Sequence, residues 1–149
     1  MTMREFTIER TFNAPRELVW RAFTDPQIAT QWYHPHGVTS PQQAMSFDVR
    51  EGGSYAYLMV GPDGTEYPTA GSYLTVHEPE RLRFTWREPG DADEGTPVVD
   101  VRLAETPEGG TAMTFHLSRL DDTRVAADSV QTGWSQALQN LNTTLEGLR

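Results

Sequence analysis

The chain contains no cysteine, which removes disulfides, thiol nucleophiles and thiolate metal ligands from its chemistry. Long apolar runs are also missing. The longest unbroken one, "YAYLMV" at 55–60, is six residues, against the roughly 20 that a membrane-spanning helix needs. The opening stretch "MTMREFTIER" carries charges where a secretory leader would carry an apolar core, so a cytoplasmic location is expected. Cations are few: 12 Lys and Arg stand against 21 Asp and Glu, a net charge of −9. That balance argues against nucleic acid or an anionic membrane surface as a partner, because both need clustered Lys and Arg. The chain also lacks the usual catalytic signatures. There is no nucleophile elbow, no Ser-His-Asp order, no carboxylate pair, no glycine-rich phosphate loop and no His-x-x-x-His. Gly61-Pro62-Asp63-Gly64 and the Thr106–Gly110 stretch are turns.

What the chain does carry is patterning. Its 149 residues predict one domain, 1–149, able to bury about 70% of its unfolded surface. At 37% apolar the core must come from the placement of hydrophobic residues. "REFTIERTF" (4–12) alternates, with Phe6 and Ile8 on one face, and predicts a half-buried strand. A helix follows, with Asn13 as N-cap, Pro15 near its first turn and Asp25-Pro26 as its stop. Val19, Ala22 and Phe23 fall on one side of it. A second short helix is expected from Pro26 to about Trp32. From there to about residue 119 the pattern is antiparallel strands, with apolar sets Leu82, Phe84 and Trp86, then Val99, Val101 and Leu103, then Met113, Phe115 and Leu117. The strand around 65–79 is interrupted by Pro68 and Gly71, which suggest an edge or a bulge. The acidic stretch 90–95, "GDADEG", reads as a solvated hairpin turn.

The last segment is a long amphipathic helix. Ala126, Val130, Trp134, Ala137, Leu141, Leu145 and Leu148 repeat at steps of three and four. If helical throughout, 122–148 would reach roughly 40 Å, enough to cross a sheet. A single helix is about 10–12 Å wide, and cannot seal six or seven strands unless the sheet curls around it. Such curling leaves a wedge between helix and sheet, and that wedge is the first functional expectation: a pocket.

Three stretches, "FNAPRELVWRAFTDPQIATQWYHPHG", "FDVREGGSYAYLMVGPDGTEYPTAGSYLTVHEPERLRFTW" and "GWSQALQNLNTTLE", occur in the order found in stand-alone bacterial relatives of the heat-shock-protein-90 ATPase activator. The chain resembles that family, part of the START-like (SRPBCC) helix-grip superfamily, over nearly its whole length. The resemblance implies an α+β helix-grip fold: a curved antiparallel sheet of six to seven strands, two short helices after strand 1, and a long C-terminal helix over the sheet. It also implies a ligand cavity between helix and sheet. The superfamily includes lipid and hormone carriers, aromatic polyketide cyclases, sequestering proteins and chaperone cofactors. No extra N-terminal domain like that of the eukaryotic co-chaperone is expected, since the grip fold takes up the 149 residues, and this argues against a chaperone-activating role. In the family the stretch after the second helix often reads Trp-Trp-Gly-Pro; here Tyr33 and His34 replace the second Trp and the Gly.

Three functions are therefore carried forward. The first is a non-enzymatic binding module for a small apolar or aromatic ligand. The ring-rich set Trp32, Phe47, Tyr55, Tyr57, Tyr73, Trp86, Phe115 and Trp134, with Leu138, supplies its cavity candidates, and the tyrosine hydroxyls suit ligand orientation. The second is a cyclase- or hydrolase-like enzyme acting on a polyketide-type substrate through Arg10, Glu66, Tyr73 or His77. The third is a partner of a heat-shock ATPase. Asp100, Arg102, Thr114 and His116 share the polar side of their strands and are expected on the convex face. His34 and His36, flanking Pro35, could supply two imidazoles, but catalytic zinc wants three protein ligands and no third is readable nearby. The segment lies at the entrance to the expected cavity; it reads as a solvent-facing loop with Trp32 turned inward, ligand contact at the pocket mouth being the alternative, and no metal or cofactor is expected. Exposed strand edges permit either a monomer or a homodimer.

Overall fold

The computed structural model describes residues 3–148. Strand β1 (Met3–Phe12) leads to helix α1 (Arg16–Thr24), helix α2 (Pro26–Ala29) and a 3-10 turn at Gln42–Ala44. Six strands follow: β2 (Ser46–Phe47), β3 (Ser54–Val60), β4 (Glu66–His77), β5 (Arg81–Thr85), β6 (Val98–Glu105) and β7 (Thr111–Asp121). The chain then enters helix α3 (Ala127–Gly147). All seven strands form one sheet in the order β1-β7-β6-β5-β4-β3-β2, antiparallel at every pair. The two helices after β1 thus carry the chain from one edge of the sheet to the other. The arrangement is the curved α+β sheet under a long C-terminal helix that the sequence resemblance implied.

The alternation sets the faces as expected. Ile8 and Phe12 of β1, Val99, Val101 and Leu103 of β6, and Met113, Phe115 and Leu117 of β7 are all buried. They meet Val130, Trp134, Ala137, Leu138, Leu141 and Leu145 of α3 in one continuous core. On the other face Asp100 accepts from Nε and Nη2 of Arg81, at 3.1 and 2.8 Å, with Arg83 and Arg102 nearby. His116 Nδ1 pairs there with Thr7 Oγ1 at 2.8 Å. In strand β4, Gly71 pairs with Tyr55 of β3, and the register shift lies further on, between Tyr73 and Thr75. A Cβ at Gly71 would collide with the Thr85 carbonyl oxygen and the Tyr55 ring, and the space it leaves lets Tyr55 donate to Thr85 O at 2.5 Å.

Four local expectations are corrected. Helix α1 begins at Arg16 with Pro15, not Asn13, at its N-cap; the Pro15 carbonyl accepts from Leu18 N and Val19 N. Helix α2 stops at Ala29, because the following turn drives Trp32 inward, where Nε1 donates to Ala22 O at 2.8 Å. Helix α3 starts at Ala127, not 122, so Ala126 is exposed and Leu148 lies past its end. Asp121 holds Thr123 N in a turn and Asp122 accepts from Ala127 N at 3.0 Å, so this acidic pair ends one turn and caps the helix from outside. The 90–95 loop, finally, is not merely solvated. Asp93 folds back on the sheet and accepts from Ser72 Oγ at 2.7 Å, and from Thr85 Oγ1 and Arg87 Nε at 2.8 Å each.

Candidate ligand-binding site

A cavity of about 180 Å³ opens between α3, strand β3, the residue after β5 and the segment after α2. Each wall follows from its local pattern. Tyr57 and Met59 of β3 share a face by the two-residue alternation. Val130, Gly133, Trp134 and Ala137 lie along one stripe of α3, with Ser129 at its exposed margin. Trp86 closes one side, and its Nε1 reaches Tyr57 Oη at 3.4 Å. Trp134 packs against Phe115, Tyr33 and Trp86 with ring centroids 4.7, 5.8 and 5.8 Å apart. Gly133 leaves the wall open: a Cβ there would meet only Pro35 Cβ, at 4.0 Å.

The fourth wall is Tyr33, His34 and Pro35. Tyr33 stacks on the buried Trp32 at 4.7 Å and 12°. Its carbonyl accepts the hydroxyl of Ser40 at 2.8 Å, and His34 Nδ1 lies 3.2 Å from that same Ser40 Oγ. Helix α3 holds the segment from the other side, through Asn140 Nδ2 to His34 O at 2.9 Å and His36 N to Gln136 Oε1 at 3.0 Å. The expected solvent-facing loop is therefore a wall, with Tyr33 buried and His34 half-buried. Burial lowers the pKa of His34, because the charged imidazolium loses hydration. The phenols move the other way. Burial, followed by the neighbouring tyrosines, pushes Tyr33 well up, and burial pushes Tyr57 up to about 12 against hydrogen bonds from Trp86 and Thr69. At neutral pH the wall is uncharged.

Two buried side-chain nitrogens lack a partner among the described residues: Arg16 Nε and Trp134 Nε1. The second belongs to a wall residue, and an orphan donor of this kind costs about 1–3 kcal/mol. No group of three His, Cys, Asp or Glu side chains able to hold a metal occurs among the described residues.

The family described as Activator of Hsp90 ATPase homolog 1-like protein matches residues 13–146, most of the chain and every wall of the cavity. The chain belongs to this family. A crystal structure of a protein from Chromobacterium violaceum is 26% identical, covering 96% of this chain and 98% of its own, with a TM-score of 0.84. A solution structure of an AHSA1-like protein from Aeromonas hydrophila superposes with a TM-score of 0.80 at 24% identity, over 97% of this chain and 94% of its own. CalU16 from Micromonospora echinospora is 25% identical over 96% of this chain and 76% of its own, with a TM-score of 0.67. No curated protein matches.

Within this member of the Hsp90-activator-like family, the ring-rich set divides. Tyr57, Trp86 and Trp134 line the cavity. Trp32 is fully buried behind Tyr33, while Tyr55, Tyr73, Phe115 and Leu138 sit in the core and Phe47 packs half-buried against it. None of the four polar candidates is a wall residue. Arg10 bonds its neighbour's carbonyl, Glu9 O, at 2.9 Å, Glu66 is exposed at the start of β4, and His77 is exposed 3.8 Å from Glu51. Tyr73 is buried against Tyr55 and Phe84. Wall residues outside the cavity candidates are Tyr33, His34, Pro35, Met59, Ser129, Val130, Gly133 and Ala137. A glycine in the middle of a strong helical stripe was the readable signal for one of them.

Proposed function

We propose that this protein is a single-domain binding module for a small apolar or aromatic molecule, held between α3 and the sheet without covalent chemistry. The observation that carries the reading is the ring-lined cavity of about 180 Å³. Dry apolar cavities of roughly 150 Å³ accept benzene, whereas sites for drug-sized ligands run to roughly 300–1,000 Å³. The volume therefore suits one ring or a short branched chain. It argues against a polyketide-sized substrate, and the wall holds no carboxylate to pair with His34 for acid–base chemistry. The test is a titration with toluene, followed through backbone amide resonances. Saturable shifts at Tyr33, Tyr57, Gly133 and Trp134 support the reading; no shift at any of them up to the solubility limit refutes it.

The family description favours a second reading, a cofactor of a heat-shock ATPase. Stimulated ATP hydrolysis by the purified Hsp90 of the same cell would support it. An unchanged rate at saturating protein would exclude it.

A further inference from the structure

Resting on the cavity reading above, we infer that His34 makes the cavity selective for a single-ring aromatic guest carrying one hydrogen-bond donor, a phenol in its simplest form, whose O–H donates a hydrogen bond to the unprotonated Nε2 of His34.

The tautomer follows from hydrogen-bond accounting. Ser40 is 1% exposed and its hydroxyl has one proton to give. Two acceptors compete for it: Tyr33 O at 2.8 Å and His34 Nδ1 at 3.2 Å. The Tyr33 carbonyl receives no backbone donor among the described residues. Turning the Ser40 proton to the imidazole would strand that carbonyl, so the proton stays on Tyr33 O. Ser40 Oγ then meets His34 as an acceptor, and Nδ1 must carry the hydrogen. In a neutral ring the lone pair falls to Nε2. Burial keeps the ring neutral.

Nε2 is the side chain's one remaining polar atom, and it bonds nothing among the described residues. The rest of the wall is ring and aliphatic carbon, with phenols held protonated and the Ser129 hydroxyl at the exposed margin. No full charge lies on the wall to take an ionic guest. A lone acceptor in such a wall discriminates by the donor it lacks: a guest that supplies one gains a bond, and a guest that does not leaves Nε2 to water at the open side of the cavity. The backbone of the segment is fixed independently by Asn140 and Gln136.

Phenol, toluene and anisole have similar ring size and differ in the donor, which makes them the probe set. Amide titrations of the full chain should give a phenol-to-toluene affinity ratio that drops by about fivefold, the worth of one neutral hydrogen bond, from the wild type to His34→Asn. The Asn amide keeps a donor for Ser40 and deletes Nε2, so toluene affinity should hold. Anisole, which has no donor, should behave as toluene does. A ratio unchanged in His34→Asn overturns the inference while leaving the cavity reading intact. Failure of toluene and phenol alike to bind removes both. Independently of any variant, ring nitrogen shifts of the wild type should show protonated Nδ1 and bare Nε2 at His34, with Nε2 moving on phenol saturation. An Nε2–H tautomer, or an Nε2 resonance that stays fixed at saturation, refutes the assignment.

Discussion

Gly133 is the cheapest place to ask whether stability or the cavity shaped α3. It sits inside a 21-residue helix, where glycine is disfavoured by about 0.8–1.0 kcal/mol against alanine. Replacing it by alanine would be opposed only if the new methyl collided. It would not, because the nearest atom is Pro35 Cβ at 4.0 Å, ordinary van der Waals contact. Gly133→Ala should therefore stabilise the protein by about 0.5–1 kcal/mol, a rise in Tm of about 1–4 °C for a chain this size. Urea denaturation read by tryptophan fluorescence, with the m-value unchanged, is the assay. The methyl points at the gap between α3 and Pro35, so the same variant should bind toluene more weakly, and Gly133→Leu should abolish binding. A destabilised Gly133→Ala would mean that the space beside Pro35 is not free. Undiminished toluene binding by Gly133→Leu would mean that the guest goes elsewhere.

Trp134→Ala should cost about 3–5 kcal/mol on urea denaturation, since three ring contacts and most of a buried indole are lost; a loss under about 1 kcal/mol would show the ring to be peripheral. Trp134→Phe, which deletes the orphan Nε1 and keeps a ring, should fall within about 1 kcal/mol of the wild type. Gly71→Ala should cost about 2–4 kcal/mol, because its methyl collides with Thr85 O and the Tyr55 ring and breaks their hydrogen bond; a wild-type urea midpoint would refute the close approach. The Arg87 guanidinium, with the hydroxyls of Ser72 and Thr85, holds the Asp93 carboxyl below its usual range. A carboxyl with a depressed folded-state pKa adds stability above its unfolded pKa and loses it as pH falls through the folded value. Because the side chain is 44% exposed, Asp93→Asn should cost only about 0.5–1 kcal/mol at neutral pH. Urea midpoints of variant and wild type should converge as pH drops below the carboxylate range; a constant gap would show that ionisation is not the cause.

The sheet was legible because its signal is local. Val99, Val101 and Leu103, or Met113, Phe115 and Leu117, declare one face by alternation alone, and all six are buried. The parity of Tyr57 against Leu58 was not legible, since Gly52 and Gly53 precede the strand; the structure buries Tyr57. Features set by distant partners were also hidden. Asp93 looks like any loop acid until Ser72, 21 residues away, donates to it. His34 and Pro35 look like loop residues until Asn140, 106 positions on from His34, ties that stretch to α3. Ala126 matched the helical stripe by spacing, yet Asp122 caps the helix one residue later. For the cavity, alternation groups the rings that share a face, as Tyr55 with Tyr57, but does not tell how deep each lies. Tyr55, Tyr73 and Phe115 therefore entered the candidate set on the same footing as Tyr57, and only the packing separates them.

What remains is why the cavity persists at all. Three departures from the most stable choice meet on its walls: a mid-helix glycine at 133, a buried indole N–H at Trp134 without an acceptor, and an imidazole at His34 in otherwise apolar surroundings. The first two alone cost about 2–4 kcal/mol by the usual magnitudes. A sealed void of this size would add about 4 kcal/mol more, reduced here because the cavity is open on one side. Against a typical total stability of about 5–15 kcal/mol that is a large sacrifice. Alanine at 133 and phenylalanine at 134 would recover part of it without disturbing the sheet. Scattered over the molecule, such departures would be ordinary. Gathered around one hollow, they are the pattern expected where stability has been given up to keep room for a guest.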